Sequence, residues 1–198
     1  IILSTGMAFL SEVADAVKAV LNAGCTQLAL LHCVSNYPAD VADVNLRAIS
    51  VLREAFSRPV GYSDHTLGIE VPIAAVAMGA SIIEKHFTLD RTLPGPDHHM
   101  SLEPDQLSQM VSAIRNVEHA LGRRRKVPAA SEMLMRDTAR RSLAASLPLE
   151  KGETLSADML IALRPGTGIS PARLEAVTGR ILKRRLSRGE LLHWTDLI

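Results

Sequence analysis

Cysteine is scarce in this chain of 198 residues: only Cys25 and Cys33 occur, each in or beside an apolar run. Thiols so placed read as buried and free, with a disulfide or a metal role as the lesser alternative. That usage suits a reducing, cytoplasmic compartment. Charge of one sign is not in excess either. Lys and Arg number 22 against 21 Asp and Glu, a formal net charge of +1, so neither nucleic acid nor an acidic membrane surface is expected as a partner. Long apolar runs are missing. Residues 71–78, among the longest, contain Pro72 and fall well short of the ~20 residues that a membrane-spanning helix needs. No Met opens the chain. Ile1-Ile2-Leu3-Ser4 reads as a strand normally enclosed by neighbours, so a truncated piece of a longer protein is expected.

What is present is an ordinary globular balance, 47% hydrophobic and 22% charged, on a length that suits one sizeable domain or one and a half small ones. Short apolar runs alternate with amphipathic stretches. Residues 1–3, 28–34, 59–62 and 81–84 read as strands, and 12–22, 46–56, 70–78 and 104–121 as helices, with Gly24, Gly79 and Gly122 as stop signals. Strands that are uniformly apolar and each followed by a helix indicate a parallel sheet covered on both faces. The pattern breaks at Arg123-Arg124-Arg125-Lys126, read as a solvated linker over 123–141 rather than an anion site. Residues 142–198 then carry shorter mixed segments and turn signals such as Lys151-Gly152 and Pro165-Gly166-Thr167-Gly168, the texture of a separate small domain.

Polar residues gather where the predicted strands end. In parallel α/β architectures the carboxyl ends of the strands share one face, and that face holds the active site. Ser4 and Thr5, residues 35–37, 63–65 and 84–86 are therefore expected to converge. His65 and His86 occupy equivalent points of successive βα units, 21 residues apart. Neighbouring strands lie ~4.8 Å apart, so the two imidazoles can reach one ion, or can be hydrogen-bonded histidines with structural roles. Asp64 and Glu84 read either as partners supporting that pair or as cap and strand-end residues. Ser4-Thr5-Gly6, at an expected helix entrance, suits an anion such as phosphate. Pro94-Gly95-Pro96-Asp97-His98-His99 reads as a shaped loop over the same rim, and Arg164 presents a guanidinium on a Pro-Gly turn.

Several segments together resemble the bacterial sialic acid synthases. They are Ile2-Leu3-Ser4-Thr5-Gly6-Met7, Gly61-Tyr62-Ser63-Asp64-His65-Thr66, Glu84-Lys85-His86-Phe87-Thr88, Gly95-Pro96-Asp97-His98-His99, Ser101-Leu102-Glu103-Pro104 and Arg164-Pro165-Gly166-Thr167-Gly168-Ile169. The resemblance runs through essentially the whole chain in order. It implies an α/β fold: the C-terminal half of a (β/α)8 TIM barrel over residues 1–122, followed by a small SAF (antifreeze-like) domain over 142–198. It also implies condensation of phosphoenolpyruvate with N-acetylmannosamine to give N-acetylneuraminate and phosphate, with a divalent metal, Mn²⁺ or Mg²⁺, as cofactor. Legionaminate or another nonulosonate is the alternative product. By motif, His65 and His86 look like the metal-binding and catalytic histidines. Ser4 and Ser63 look like phosphoenolpyruvate contacts, Tyr37 like the substrate-binding tyrosine of the Tyr-Pro motif after the second strand, and Asp97 like the substrate-contacting Asp of the Gly-Pro-Asp loop. Arg164 looks like the SAF-domain arginine that reaches the sugar in the partner's active site, which implies a homodimer. Ser35 stands where some members carry an Asn that contacts phosphoenolpyruvate; its hydroxyl, or Asn36, takes that place.

The family's general-base Glu and its phosphate-binding lysines belong to earlier strands, and none of those motifs occurs here. The chain alone is therefore expected to be inactive. A different class of function, a non-catalytic binding or polysaccharide-biosynthesis accessory protein that retains the SAF module, is disfavoured by the paired rim histidines.

Overall fold

The uniformly apolar runs become the strands of a parallel sheet. In the computed structural model, which describes residues 1–198, the chain forms two units, Ile1–Arg123 and Arg124–Ile198. The first unit orders its strands β1 (Ile2–Ser4), β2 (Ala29–Cys33), β3 (Val60–Asp64) and β4 (Ile83–Lys85) sequentially, every pair parallel. Helices α1 (Leu10–Asn22), α2 (Ala48–Phe56) and α3 (Glu70–Ala77) link them, and α4 (Pro104–Leu121) follows. β2 and β3 are enclosed, whereas Ile1 and Ile2 are about three-fifths exposed (58% and 60%), because β1 pairs on one side only. Enclosure was expected of that strand from its composition; its place at the sheet edge is what opens it.

Helical spacing builds the core. Val13 and Val17 of α1, with Val20 and Leu21 beside them, and Ile49, Leu52 and Phe56 of α2 pack on Leu30, Val60 and Tyr62 of the sheet. Each such side chain fully buried contributes about 1.5–3 kcal/mol before chain entropy is counted. Val76 of α3 meets Met110 and Ile114 of α4 and the buried Leu102 in a second cluster. Pro72 sits in the first turn of α3, where its missing N–H has no intrahelical partner to lose. Pro104 likewise opens α4, and the Gln106 side chain accepts from the Glu103 N–H at 3.3 Å. Gly61 is required by close packing: a Cβ there would stand 2.6 Å from Leu31 Cδ2 and 2.7 Å from Ile82 Cβ.

The second unit is a small β-rich body. Antiparallel β5 (Ser142–Ala145) and β6 (Leu160–Leu163), isolated bridges such as Leu149–Leu186 and Leu182–Leu197, and the short α6 (Leu174–Val177) enclose Leu143, Leu149, Leu155, Val177, Leu186 and Leu192. The segment 123–141, expected as a linker, differs in part: Arg123 to Lys126 are exposed, but Ala130–Ala139 forms α5, none of whose side chains is buried. Ala, Glu, Met, Leu and Arg favour helix, which a reading by charge alone passed over. No helix of the chain is long and apolar enough to cross a membrane.

Candidate metal and substrate site

The carboxyl ends of β3 and β4 lie in a register that sets Ser63 opposite Glu84 and Asp64 opposite Lys85. Side chains alternate faces along a strand, so these form two rungs on opposite faces. On one, the Ser63 hydroxyl donates to Glu84 Oε1 at 2.7 Å. On the other, Lys85 Nζ donates to Asp64 Oδ2 at 2.6 Å, with the side chains 4% and 0% exposed. Asp64 Oδ1 accepts from Tyr62 Oη (3.1 Å), the Thr66 N–H (2.9 Å) and Thr66 Oγ1 (2.8 Å). Burial, then the adjacent Asp64 charge, pushes the Tyr62 phenol up. The two strands were expected to end at Tyr62 and at Glu84. They run on because the residues that follow find partners across the ladder.

His65 and His86 follow directly. Their rings stand edge to face with centroids 5.4 Å apart, and Tyr37 packs against both, 5.0 Å from His65 and 4.3 Å from His86. His65 Nδ1 is buried without a hydrogen-bond partner. His86 Nδ1 faces Asp97 Oδ2 at 3.7 Å. Burial raises the Tyr37 phenol above its ordinary range, and the carboxylates of Asp97 and Asp64 add to the effect against a bond with Ser101.

Asp97 comes from the loop between β4 and α4, which is held at several points. Thr88 Oγ1 and His98 Nδ1 share a hydrogen bond of 2.7 Å, and Ser101 Oγ donates to the Asp97 carbonyl at 2.7 Å. Arg91 donates to the Ser101 carbonyl (2.7 Å) and to Gln106 Oε1 (2.6 Å). His99 is exposed and His98 half-buried.

At the other strands the expectation of an anion site at a helix entrance changes. Thr5 spends both its N–H and its hydroxyl on the Leu31 carbonyl, at 2.9 Å each. Helix α1 starts only at Leu10, where Glu12 Oε2 accepts the Phe9 N–H at 2.7 Å. Ser4 ends β1 exposed, and Ser35 lies half-buried beside Gly6, whose missing Cβ leaves room for the Ser35 hydroxyl. Cys33 is buried under the same rim, and burial pushes its thiol up, with Glu84 and Asp64 acting in the same sense. Arg164 belongs to the second unit, exposed on the turn that follows β6.

So the structure gathers His65, His86, Tyr37 and Asp97 within the first unit, with Ser63, Ser4 and Ser35 at strand ends. Lys85 and Tyr62 were not foreseen as part of the polar framework. Their signal was present: Tyr62 and Asp64 share a face at spacing two, and Lys85 closes a strand.

No three side chains of His, Cys, Asp or Glu come together as a ready metal cage. The residues nonetheless fit an ion. A neutral imidazole has one acceptor nitrogen, and a buried one without a partner is costly unless something engages it. His65 Nδ1 is a buried ring nitrogen without a partner, the acceptor when Nε2 carries the proton, and a second imidazole stands beside the ring.

A parallel half-barrel with a histidine pair at its carboxyl rim, plus a separate β-rich unit, defines a class of two-domain α/β protein. Residues 1–126 match the NeuB family and residues 140–198 the SAF domain; the chain belongs to the NeuB family. It is 48% identical over 201 residues to the N,N'-diacetyllegionaminic acid synthase of Legionella pneumophila, covering 100% of this chain and 56% of that protein. Its structure resembles the N-acetylneuraminic acid synthetase of Leptospira borgpetersenii (TM-score 0.62, 46% identity, 68% of this chain and 47% of that one). It also resembles the spore coat polysaccharide biosynthesis protein SpsE of Bacillus subtilis (TM-score 0.58, 37% identity, 100% and 60%). The chain thus spans a little over half the length of relatives that it matches end to end. The expected fold, a half-barrel followed by a SAF domain, is the one observed.

Proposed function

We propose that the chain is the C-terminal part of a nonulosonate synthase that condenses phosphoenolpyruvate with an N-acetylated hexosamine, and that His65 and His86 hold its divalent metal. The observation that carries this is the buried, partnerless His65 Nδ1 beside the His86 ring. Imidazole donors suit Mn²⁺ better than Mg²⁺, a hard cation that prefers oxygen. The ion supplies Lewis-acid polarisation of a carbonyl oxygen.

In the reaction, C3 of phosphoenolpyruvate bonds to the sugar's aldehyde carbon, water adds at C2, and phosphate departs. Ser63, Ser4 and Ser35 bind phosphoenolpyruvate; Tyr37 and Asp97 bind the sugar. Asp97 Oδ2 also stands 3.7 Å from His86 Nδ1, beyond hydrogen-bond reach but near enough for electrostatic attraction to that ring. Arg164 reaches the sugar of a partner subunit in a homodimer. N-acetylmannosamine, giving N-acetylneuraminate, is the first acceptor. The 48% identity to a legionaminic acid synthase along the whole chain supports a legionaminate-type acceptor as the second.

The test is Mn²⁺ titration of the full-length protein and of its His65→Ala and His86→Ala variants. Each substitution is expected to weaken binding at least tenfold; unchanged affinity in both sinks the reading. The 198-residue chain alone should show no phosphoenolpyruvate-dependent phosphate release.

A further inference from the structure

Every strand end of the first unit bears polar residues, but only one pair is a fully buried ion pair: Asp64 and Lys85, on adjacent strands, each immediately before a histidine of the site. We infer that this pair is a positioning element, holding β3 against β4 in the single register that brings His65 and His86 side by side. The inference rests on the reading of those histidines as metal ligands.

Three observations carry it. Asp64 and Lys85 are direct cross-strand partners, so their bond at 2.6 Å joins the strands one residue below the two imidazoles. Register matters there, because a slip of one residue turns every side chain of a strand to the opposite face. It would send one histidine away from the other. Second, the pair is saturated. Asp64 accepts from Tyr62 and twice from Thr66, and Lys85 also donates to the Thr66 carbonyl, so the residues flanking His65 are tied to one carboxylate. Third, the histidines' own carbonyls are anchored, that of His65 by the Ala39 N–H and that of His86 by the Leu102 N–H, both at 2.9 Å. The backbone on either side of the pair is thereby fixed, and the ion pair supplies the direct side-chain tie between the two strands on that face.

Stability alone does not account for such a pair. Desolvating two charges offsets most of their attraction, and an apolar pair of similar volume often serves as well or better. Fixing register is a well-attested use of a buried polar contact.

The experiment compares the full-length protein with the double variant Asp64→Asn/Lys85→Met, which removes both charges while roughly keeping volume and leaves no orphan ion. Two readouts are taken: Mn²⁺ affinity, and the nuclear Overhauser contact between the His65 and His86 ring protons in metal-free protein. The double variant should unfold cooperatively yet bind Mn²⁺ about 10- to 100-fold more weakly, the usual cost of losing support for a metal ligand, and should lose the ring contact. A folded double variant with wild-type affinity and an intact ring contact overturns the inference. If the double variant does not fold, Thr66→Val, which removes one hydroxyl from Asp64, replaces it. There, several-fold weaker Mn²⁺ binding with a weakened ring contact supports the inference, and no change in either overturns it. Failure of the metal reading is separately visible: His65→Ala and His86→Ala would then leave Mn²⁺ affinity unchanged, while the metal-free ring contact still reports on positioning.

Discussion

The Ser63 hydroxyl donates to Glu84 Oε1 at 2.7 Å, across strands that carry the two site histidines two residues further on. Ser63 is almost fully buried while Glu84 is exposed, so the bond is charge-assisted but water competes at its carboxylate end. Ser63→Ala is expected to cost about 0.5–1.5 kcal/mol in urea unfolding, the range for an ordinary hydrogen bond. Glu84→Gln, which keeps an acceptor, should cost less. If Ser63 also binds phosphoenolpyruvate, the alanine variant of the full-length enzyme should raise KM for that substrate more than it lowers kcat.

Gly61→Ala should be among the most damaging single-methyl changes in the first unit. The added Cβ would fall within 2.6 Å of Leu31 Cδ2 and 2.7 Å of Ile82 Cβ, with the Ile82 carbonyl closer still. The backbone at Ile82 and the Leu31 side chain must then shift, and overpacking of this kind costs about 1–3 kcal/mol. Thermal unfolding checks it; a melting temperature equal to wild type would show that β3 has slack its packing does not suggest.

Much of this was legible in the residues. The four βα units, both domains and the convergence of His65, His86, Tyr37 and Asp97 follow from apolar runs, Gly stops and motif order. Strand ends are less legible in the sequence, where Ser63 and Lys85 read as the residues that follow β3 and β4. Ser63 and Asp64 extend β3, and Lys85 extends β4, since each finds its partner on the neighbouring strand, a long-range fact that local pattern does not contain. The start of α1 was placed two residues late for a similar reason. Glu12 looked like the first helical residue, whereas its carboxylate reaches back to the Phe9 N–H and caps a helix beginning at Leu10. In 123–141 the basic run masked the helix-forming composition of α5.

Acid should destabilise the second unit partly through Asp196. Burial raises its carboxyl, but the Arg184 guanidinium at 2.7 Å and the His193 N–H at 2.9 Å outweigh that and hold it below the ordinary carboxylate range. A carboxylate depressed in the folded state stabilises fully above its unfolded pKa, about 3.9, and that contribution is lost as pH falls towards the folded value. Asp196→Asn should therefore be destabilising at pH 7, with the difference from wild type shrinking below about pH 4. Urea midpoints measured from pH 7 to pH 2.5 test this; a difference that stays constant with pH would mean that the ion pair contributes nothing.

Arg91 governs the loop that presents Asp97. Its Nε donates to the Ser101 carbonyl and its Nη2 to Gln106 Oε1, while its own N–H donates to Glu103 Oε1 at 3.0 Å. One planar guanidinium thus ties both the end of the loop and the first turn of α4. Lysine cannot reproduce that fork, because its ammonium is a single point donor on a flexible stem. Arg91→Lys should leave the melting temperature of the first unit nearly unchanged, since the core under α3 and α4 does not include it. Residues 92–99 should, however, become several-fold more susceptible to limited proteolysis, and their amides should exchange faster. If Asp97 binds the sugar, KM for the acceptor should rise in the full-length enzyme while Mn²⁺ affinity holds. A loop as protected as in the wild type would assign its shape to the Thr88–His98 and Ser101–Asp97 bonds instead, and Thr88→Val would then be the variant that loosens it.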